Sequence, residues 1–156
     1  MAANDLLLST QGGSIKAVTI LLDQGVDPNV RDRMGRTSLM YAVIDGHDQL
    51  VDLLMSRKAD VNAVDRRSWS ALHFAAQDYR VDAAQKLLAA GAHVDFQDVH
   101  GNSPLSTAVF NARNRGEMIL LLLRHGADRN LPNNSGVTPL SLANTIANYD
   151  AKQFFK

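Results

Sequence analysis

Leu39, Leu72, Leu105 and Leu140 occupy one position of a motif that recurs at intervals of 33, 33 and 35 residues. Their neighbours recur with them, as Arg36-Thr37-Ser38, Trp69-Ser70-Ala71, Asn102-Ser103-Pro104 and Val137-Thr138-Pro139. A second set, Asn29, Asn62, Asp95 and Asn130, keeps the same beat. A repeat of this length is one supersecondary unit that cannot bury its own apolar face, so it has to stack on copies of itself. Such a stack works as a binding surface rather than as a catalytic pocket.

Composition agrees with a stacked, folded chain. The 156 residues are 46% apolar, enough for a continuous core. The absence of cysteine excludes disulfide staples and cysteine-based zinc sites, and fits a reducing cytosol. The formal net charge is zero, which gives no global drive toward nucleic acid or an anionic membrane. The first ten residues lack the basic-then-apolar pattern of a signal peptide. The longest apolar run, Met118 to Leu123, is too short to cross a bilayer. The chain therefore reads as cytoplasmic, with neither nucleic acid nor membrane as partner.

Within a unit the order is turn, helix, helix. In the third unit Asp65 to Ser70 carries turn formers. Ser70 suits a helix N-cap, with Leu72, Ala75 and Ala76 facing inward. Val81, Ala84, Leu87 and Leu88 mark a second helix, and Gly91 supplies the positive φ that ends it. The fourth unit places Ser103 before Pro104, a cap followed by proline at the first helical position. The first unit lacks the turn and begins at a helix with Leu6-Leu7-Leu8. The fifth ends in a short second helix with Phe154 and Phe155.

These residues resemble the ankyrin-repeat family. The likeness is carried by Asp32, Gly35, Thr37, Leu39 and Ala42, by Leu72-His73 with Ala75-Ala76, by Gly126-Ala127-Asp128 with Asn130, and by Gly136 with Thr138-Pro139-Leu140. It covers about residues 4 to 156. The resemblance implies a mostly α solenoid of about five helix-turn-helix units with β-hairpin fingers, the terminal units acting as caps. The expected units are about 1–30, 31–63, 64–96, 97–131 and 132–156, together forming a single domain. It also implies that His73 hydrogen-bonds near the finger.

Four departures interrupt the pattern. Lys58 stands where Gly25, Gly91 and Gly126 stand, Ser68 replaces the tip residue Gly35, and Tyr79-Arg80 replaces Gly46-His47. The fourth unit also holds two extra residues between Asn111 and Gly116. These lengthen the turn between its helices, as a neutral insertion or as an added recognition loop.

No catalytic constellation emerges, and neither a cofactor nor a metal is expected. His47, His73, His93, His100 and His125 lie in different units or layers, without metal-ligand spacing. Gly12-Gly13-Ser14-Ile15-Lys16 lacks the spacing of a phosphate loop and reads as a turn. Asp32, Asp65 and Asp98 recur as turn-forming positions.

The resemblance implies that partners touch the finger tips and the inner helices, and repeat phase locates both. The candidate tip residues are Arg31, Arg33, Met34, Arg36, Arg66, Arg67, Trp69, His100 and Asn102. The candidates along and after the first helices are Tyr41, Ile44, Asp45, Gln77, Asp78, Tyr79, Phe110, Asn111 and Arg113. The arginines form either a solvated edge or a site for partner carboxylates. Trp69 either packs between fingers or joins Tyr79 and Phe110 in an aromatic line of the residue types that dominate hot spots. Helices stacked ~8–10 Å apart give five units a groove on the order of 40–50 Å long. That accommodates an interface of ~800 Å² per partner.

The expected function is non-enzymatic binding of one protein partner by a chain that is monomeric when free. A stoichiometric inhibitor is the leading reading, such as an immunity protein that neutralises a secreted bacterial toxin bearing an acidic patch. The stretch from Thr138 to Asn144, with Asn148-Tyr149-Asp150 and Phe154-Phe155, is similar to the terminal cap of such bacterial proteins. The alternative is an adaptor or kinase-inhibitor-like regulator of an intracellular pathway. Irregular departures such as Tyr79 argue against a consensus design.

Overall fold

A computed structural model describes residues 1–146 and 150–156. Nine α-helices run in order among them: α1 (Ala2–Gln11), α2 (Ile15–Asp23), α3 (Ser38–Asp45), α4 (Asp48–Ser56), α5 (Ala71–Gln77), α6 (Val81–Ala89), α7 (Pro104–Phe110), α8 (Glu117–Arg124) and α9 (Pro139–Thr145). The odd-numbered helices pack side by side in an inner row, and the even-numbered ones form an outer row. The inner helices are sandwiched most completely: every residue from Ala71 to Ala76 and from Pro104 to Val109 is buried. Leu39, Leu72 and Leu105 are buried at the join between the rows. Leu140, in the last unit, is only half-buried. Removing the Leu72 side chain beyond Cβ costs roughly 2–5 kcal/mol by the usual cavity argument.

The expected β-hairpin fingers are tight turns. Among the described residues the only strand-like pairings are single antiparallel bridges, Arg31 to Thr37 and Val64 to Ser70. The turns need little pairing because one side-chain oxygen closes each from within. Asp32 Oδ1 accepts from the Met34 and Arg36 amides at 2.8 and 2.9 Å. Asp65 Oδ1 does so from Arg67 and Trp69, Asp98 Oδ1 from His100 and Asn102, and Asn133 Oδ1 from Ser135 and Val137. Each turn then needs a left-handed residue, supplied at the third position by Gly35 (φ 79°) and by Ser68 (φ 60°).

Fingers join one another through main-chain atoms. The amides of Arg66, Val99 and Asn134 donate to the carbonyls of Met34, Arg67 and His100 at 2.9, 3.0 and 3.0 Å. A second join runs along the Asn29 beat. Asn29 Oδ1 accepts from the Asp60 amide at 2.7 Å, while its Nδ2 donates to the Lys58 carbonyl at 3.4 Å. Asn62 repeats both bonds one unit on, with His93 at 2.8 Å and Gly91 at 3.2 Å. Each Asn therefore ties its unit to the left-handed turn that ends the next unit. Lys58 adopts that conformation without being glycine (φ 65°), at a cost of about 1 kcal/mol.

His73 is buried, and its ring hydrogen-bonds near the finger, as the resemblance implied. Its Nδ1 lies 3.2 Å from the Ser70 amide and 3.0 Å from Ser70 Oγ, and its Nε2 is 3.1 Å from the Asn102 carbonyl. The ring thus ties the α5 cap to the following finger. Burial holds it below the ordinary imidazole range, although the Asn102 carbonyl, Asp98 and Asp65 all favour the proton. The final segment is a short helix, as expected. Ala151–Phe155 forms a 3-10 helix, with Ala151 and Phe155 buried. Asn148 and Tyr149 lie outside the described residues.

The joins can be tested at two side chains. At the third position of the Asn29 beat, Asp95 accepts from the Asp128 amide at 3.0 Å but has no N–H to return. Burial raises its pKa; the Asp128 amide opposes that shift, and the Asp128 carboxylate adds to it. Asp95→Asn restores the missing donor toward the Gly126 carbonyl. It should stabilise the fold by roughly 0.5–1.5 kcal/mol at neutral pH in urea unfolding. Because the folded pKa is raised, that gain should shrink as acid protonates Asp95. His73 gives the opposite slope. The unfolded ring takes up a proton below about pH 6.5 while the folded ring resists it. Stability is full above that pH and falls as pH drops below it. His73→Gln should flatten the dependence of Tm on pH in this window, and an unchanged slope would exclude the assignment.

Candidate protein-binding groove

The inner helices, their following turns and the fingers of units three to five enclose an open groove of about 1080 Å³. Seven of the sequence-predicted residues meet there: Trp69, Gln77, Asp78, Asn102, Phe110, Asn111 and Arg113. They come from two units and are brought together by stacking alone. The wall of the fifth unit, including Asn133, Ser135 and Val137, has no counterpart in the predicted set. Asn133 closes its finger as Asp98 closes the one before, so the repeat phase was the signal that could have found this wall. Arg80 and Arg115, which flank mid-unit turns, were also missed.

The groove has an anchored finger side. Trp69 donates from Nε1 to Asp98 Oδ2 at 3.0 Å, and its ring packs 5.6 Å from His73 and 5.1 Å from Phe74. Asp98 therefore accepts at both oxygens, from Trp69 and from two finger amides. Asn102 Oδ1 accepts from Asn133 Nδ2 at 2.9 Å. These contacts fix the wall, on which the half-buried indole lines the groove.

The opposite side is the α7–α8 turn with its two extra residues. Arg113 and Asn114 both hold positive φ, 48° and 66°. The turn is fastened at several points. Asn111 Nδ2 donates to the Thr107 carbonyl at 2.9 Å, and the Arg115 amide donates to the Ala112 carbonyl at 2.8 Å. From the preceding unit, Tyr79 donates to the Ala108 and Arg115 carbonyls at 3.1 and 2.8 Å, and the Arg115 guanidinium lies 4.2 Å over its ring. Tyr79 stands at the Gly46 phase with φ 53°. Its strained backbone and its reach across the unit boundary thus occur together. Behind the turn, Gly116 packs so closely against Phe154 that a Cβ would overlap the ring. Between the walls, Phe110 is 69% exposed.

The remaining predicted residues lie away from the groove, and several have partners within the chain. Arg31 Nη1 donates to the Gly35 and Val64 carbonyls at 3.2 and 2.6 Å. Gln97, two units on, bridges Gly101 and Pro132 in the same manner. Arg36 and Arg67 approach the buried Asp65 carboxylate at 3.8 and 3.6 Å. Arg36 also lies over Phe74 and Tyr41, and Arg67 lies 4.6 Å over Trp69. The exposed tip arginines with neither an ion pair nor a side-chain hydrogen bond among the described residues are Arg33 and Arg66. Met34 and His100 expose their side chains while their main-chain atoms hold the finger joins. Tyr41 is half-buried and donates to Asp32 Oδ2, which lowers the Asp32 pKa against the opposing effect of its burial. Ile44 is half-buried and accepts from Arg80 Nη2 at 3.1 Å through its carbonyl, and Asp45 is exposed. Of the three predicted aromatic residues, Trp69 and Phe110 line the groove, and Trp69 and Tyr79 each bond across a unit boundary. No group of three or more potential metal ligands occurs among the described residues, and no helix there is long and apolar enough to cross a membrane.

Comparison with known proteins agrees with this architecture. A family model for ankyrin repeats in three copies matches residues 6–98 and 72–151. The chain is also similar to the human 2-5A-dependent ribonuclease, 47% identical over 64 residues. That stretch is 40% of this chain and 8% of the ribonuclease, so only a small part of the relative is matched. With the repeat match running over most of its length, and with the repeated units and joins in place, this chain belongs to the ankyrin-repeat family, a family of protein-binding modules.

Proposed function

We propose that this chain is a non-enzymatic module that binds one protein partner along the groove of units three to five. Its action is stoichiometric: it occupies a surface of the partner and so inhibits it. The observation that carries the reading is the groove itself, where Trp69, Asp78, Phe110 and Arg113 converge from separate units on walls held by internal hydrogen bonds. Preformed walls reduce the ordering cost of association, which favours tight one-to-one binding. Within this reading, neutralisation of a secreted bacterial toxin by a cytoplasmic immunity protein is the leading role. An adaptor or kinase-inhibitor-like regulator is the alternative. An immunity protein has one tight partner, whereas an adaptor has several weaker ones.

Co-purification from the native host, followed by mass spectrometry and light scattering of the complex, tests the stoichiometric reading. The expected result is a single dominant partner in a one-to-one complex, and a set of weak, exchanging partners would favour the adaptor. With the partner in hand, two double variants compare the surfaces. Gln77→Ala with Phe110→Ala should weaken binding by roughly 10-fold or more, as expected where central contacts dominate. Arg33→Glu with Arg66→Glu should change it less, because those side chains lie outside the groove. All four side chains are exposed, so Tm should stay within about 2 °C of the parent. The reverse order of effects would move the interface to the finger tips.

A further inference from the structure

The charges around the groove are unevenly placed. Its lining holds three guanidinium groups, Arg80, Arg113 and Arg115, and two carboxylates, Asp78 and Asp98. Asp98 is on the finger wall, where the Trp69 indole and two amides take up its oxygens. The three arginines flank the mid-unit turns on the other side. None of them has a carboxylate within 4.0 Å among the described residues. Arg80 is steadied by its bond to the Ile44 carbonyl, and Arg115 by the Tyr79 ring. Arg113 extends from the left-handed corner of the inserted turn, and the exposed Phe110 ring lines the same groove.

That corner is costly to hold. Non-glycine residues are strained in this conformation, asparagine somewhat less than others. The fasteners around it come from three directions: Tyr79 from the preceding unit, Phe154 from the chain end and Asn111 from the turn itself. Their combined effect is to fix the Arg113 backbone at the mouth of the groove. A planar guanidinium presented in this way suits a carboxylate, which it can grip through two parallel bonds.

The geometry points to the α7–α8 turn as a carboxylate-binding corner. Arg113, with Arg115 on the same turn, takes an Asp or Glu side chain of an extended partner segment, and an adjacent apolar side chain of that segment covers Phe110. This inference rests on the groove reading above and adds the chemistry of the partner. It also assigns the two-residue break in the repeat a role in specificity.

Selection of random linear peptides, about a dozen residues long and displayed on phage, tests it on the full chain without the natural partner. The expected peptides carry Asp or Glu next to an apolar residue. Their affinity should fall at least 10-fold on Arg113→Glu and several-fold on Arg113→Ala, and should decline as salt rises. A second selection on Arg113→Glu should exchange the acidic residue for Lys or Arg. Melting curves of both variants should match the parent, since Arg113 is exposed. Peptides that lose affinity on Phe110→Ala but lack acidic preference, and bind Arg113→Glu unchanged, would overturn the corner while leaving the groove reading intact. A selection yielding no peptide sensitive to Phe110→Ala would overturn both.

Discussion

The fold depends on a hydrogen bond made between units rather than within them. Asn29 and Asn62 each reach from the end of one unit to the left-handed turn that ends the next, accepting from one amide and donating to one carbonyl. That turn would otherwise leave main-chain groups without partners where the outer helix stops. The bond also sets the spacing between units, and with it the alignment of Leu39, Leu72 and Leu105 in the shared core. Burial supplies most of the stabilisation, but burial alone is indifferent to register. The directional bonds select one register among the ways two greasy helix pairs can lie together.

Departures from the repeat converge in space. Tyr79 replaces a glycine in the third unit, two residues are added in the fourth, and Phe154 closes the fifth. All three meet at the α7–α8 turn. Each departure taken alone looks like drift. Tyr79 carries a backbone penalty, yet its hydroxyl serves two carbonyls of the next unit. Gly116 has no positive φ, and it is required by the Phe154 ring instead. The irregular residues thus build one structure that the regular ones do not specify.

Much of this was legible in the residues. The leucine beat located the core, the recurring Asp positions located the fingers, and phase placed Lys58, Ser68 and Tyr79 at glycine positions, where all three hold positive φ. Less legible was the occupancy of polar side chains. Phase places Arg31, Arg36 and Arg67 at the tips, but it does not say whether an adjacent unit already uses them. Arg31 and Arg36 are taken up by atoms of the next finger, and Arg67 by the aspartate that closes its own. Trp69 illustrates the same limit, since its nitrogen is claimed by Asp98 in the next finger. The near absence of strand pairing had a similar origin, because the Asp side chains close the turns that a hairpin would otherwise close with backbone.

In the main-chain ladder between fingers, Met34 and His100 contribute only backbone atoms, and their side chains stay exposed. Support and display are therefore separate at these positions. A stack built in this way can have its outer lettering rewritten while the binding of its pages stays intact. New recognition surfaces can arise by single replacements at the tips, each without first passing through a poorly folded ancestor.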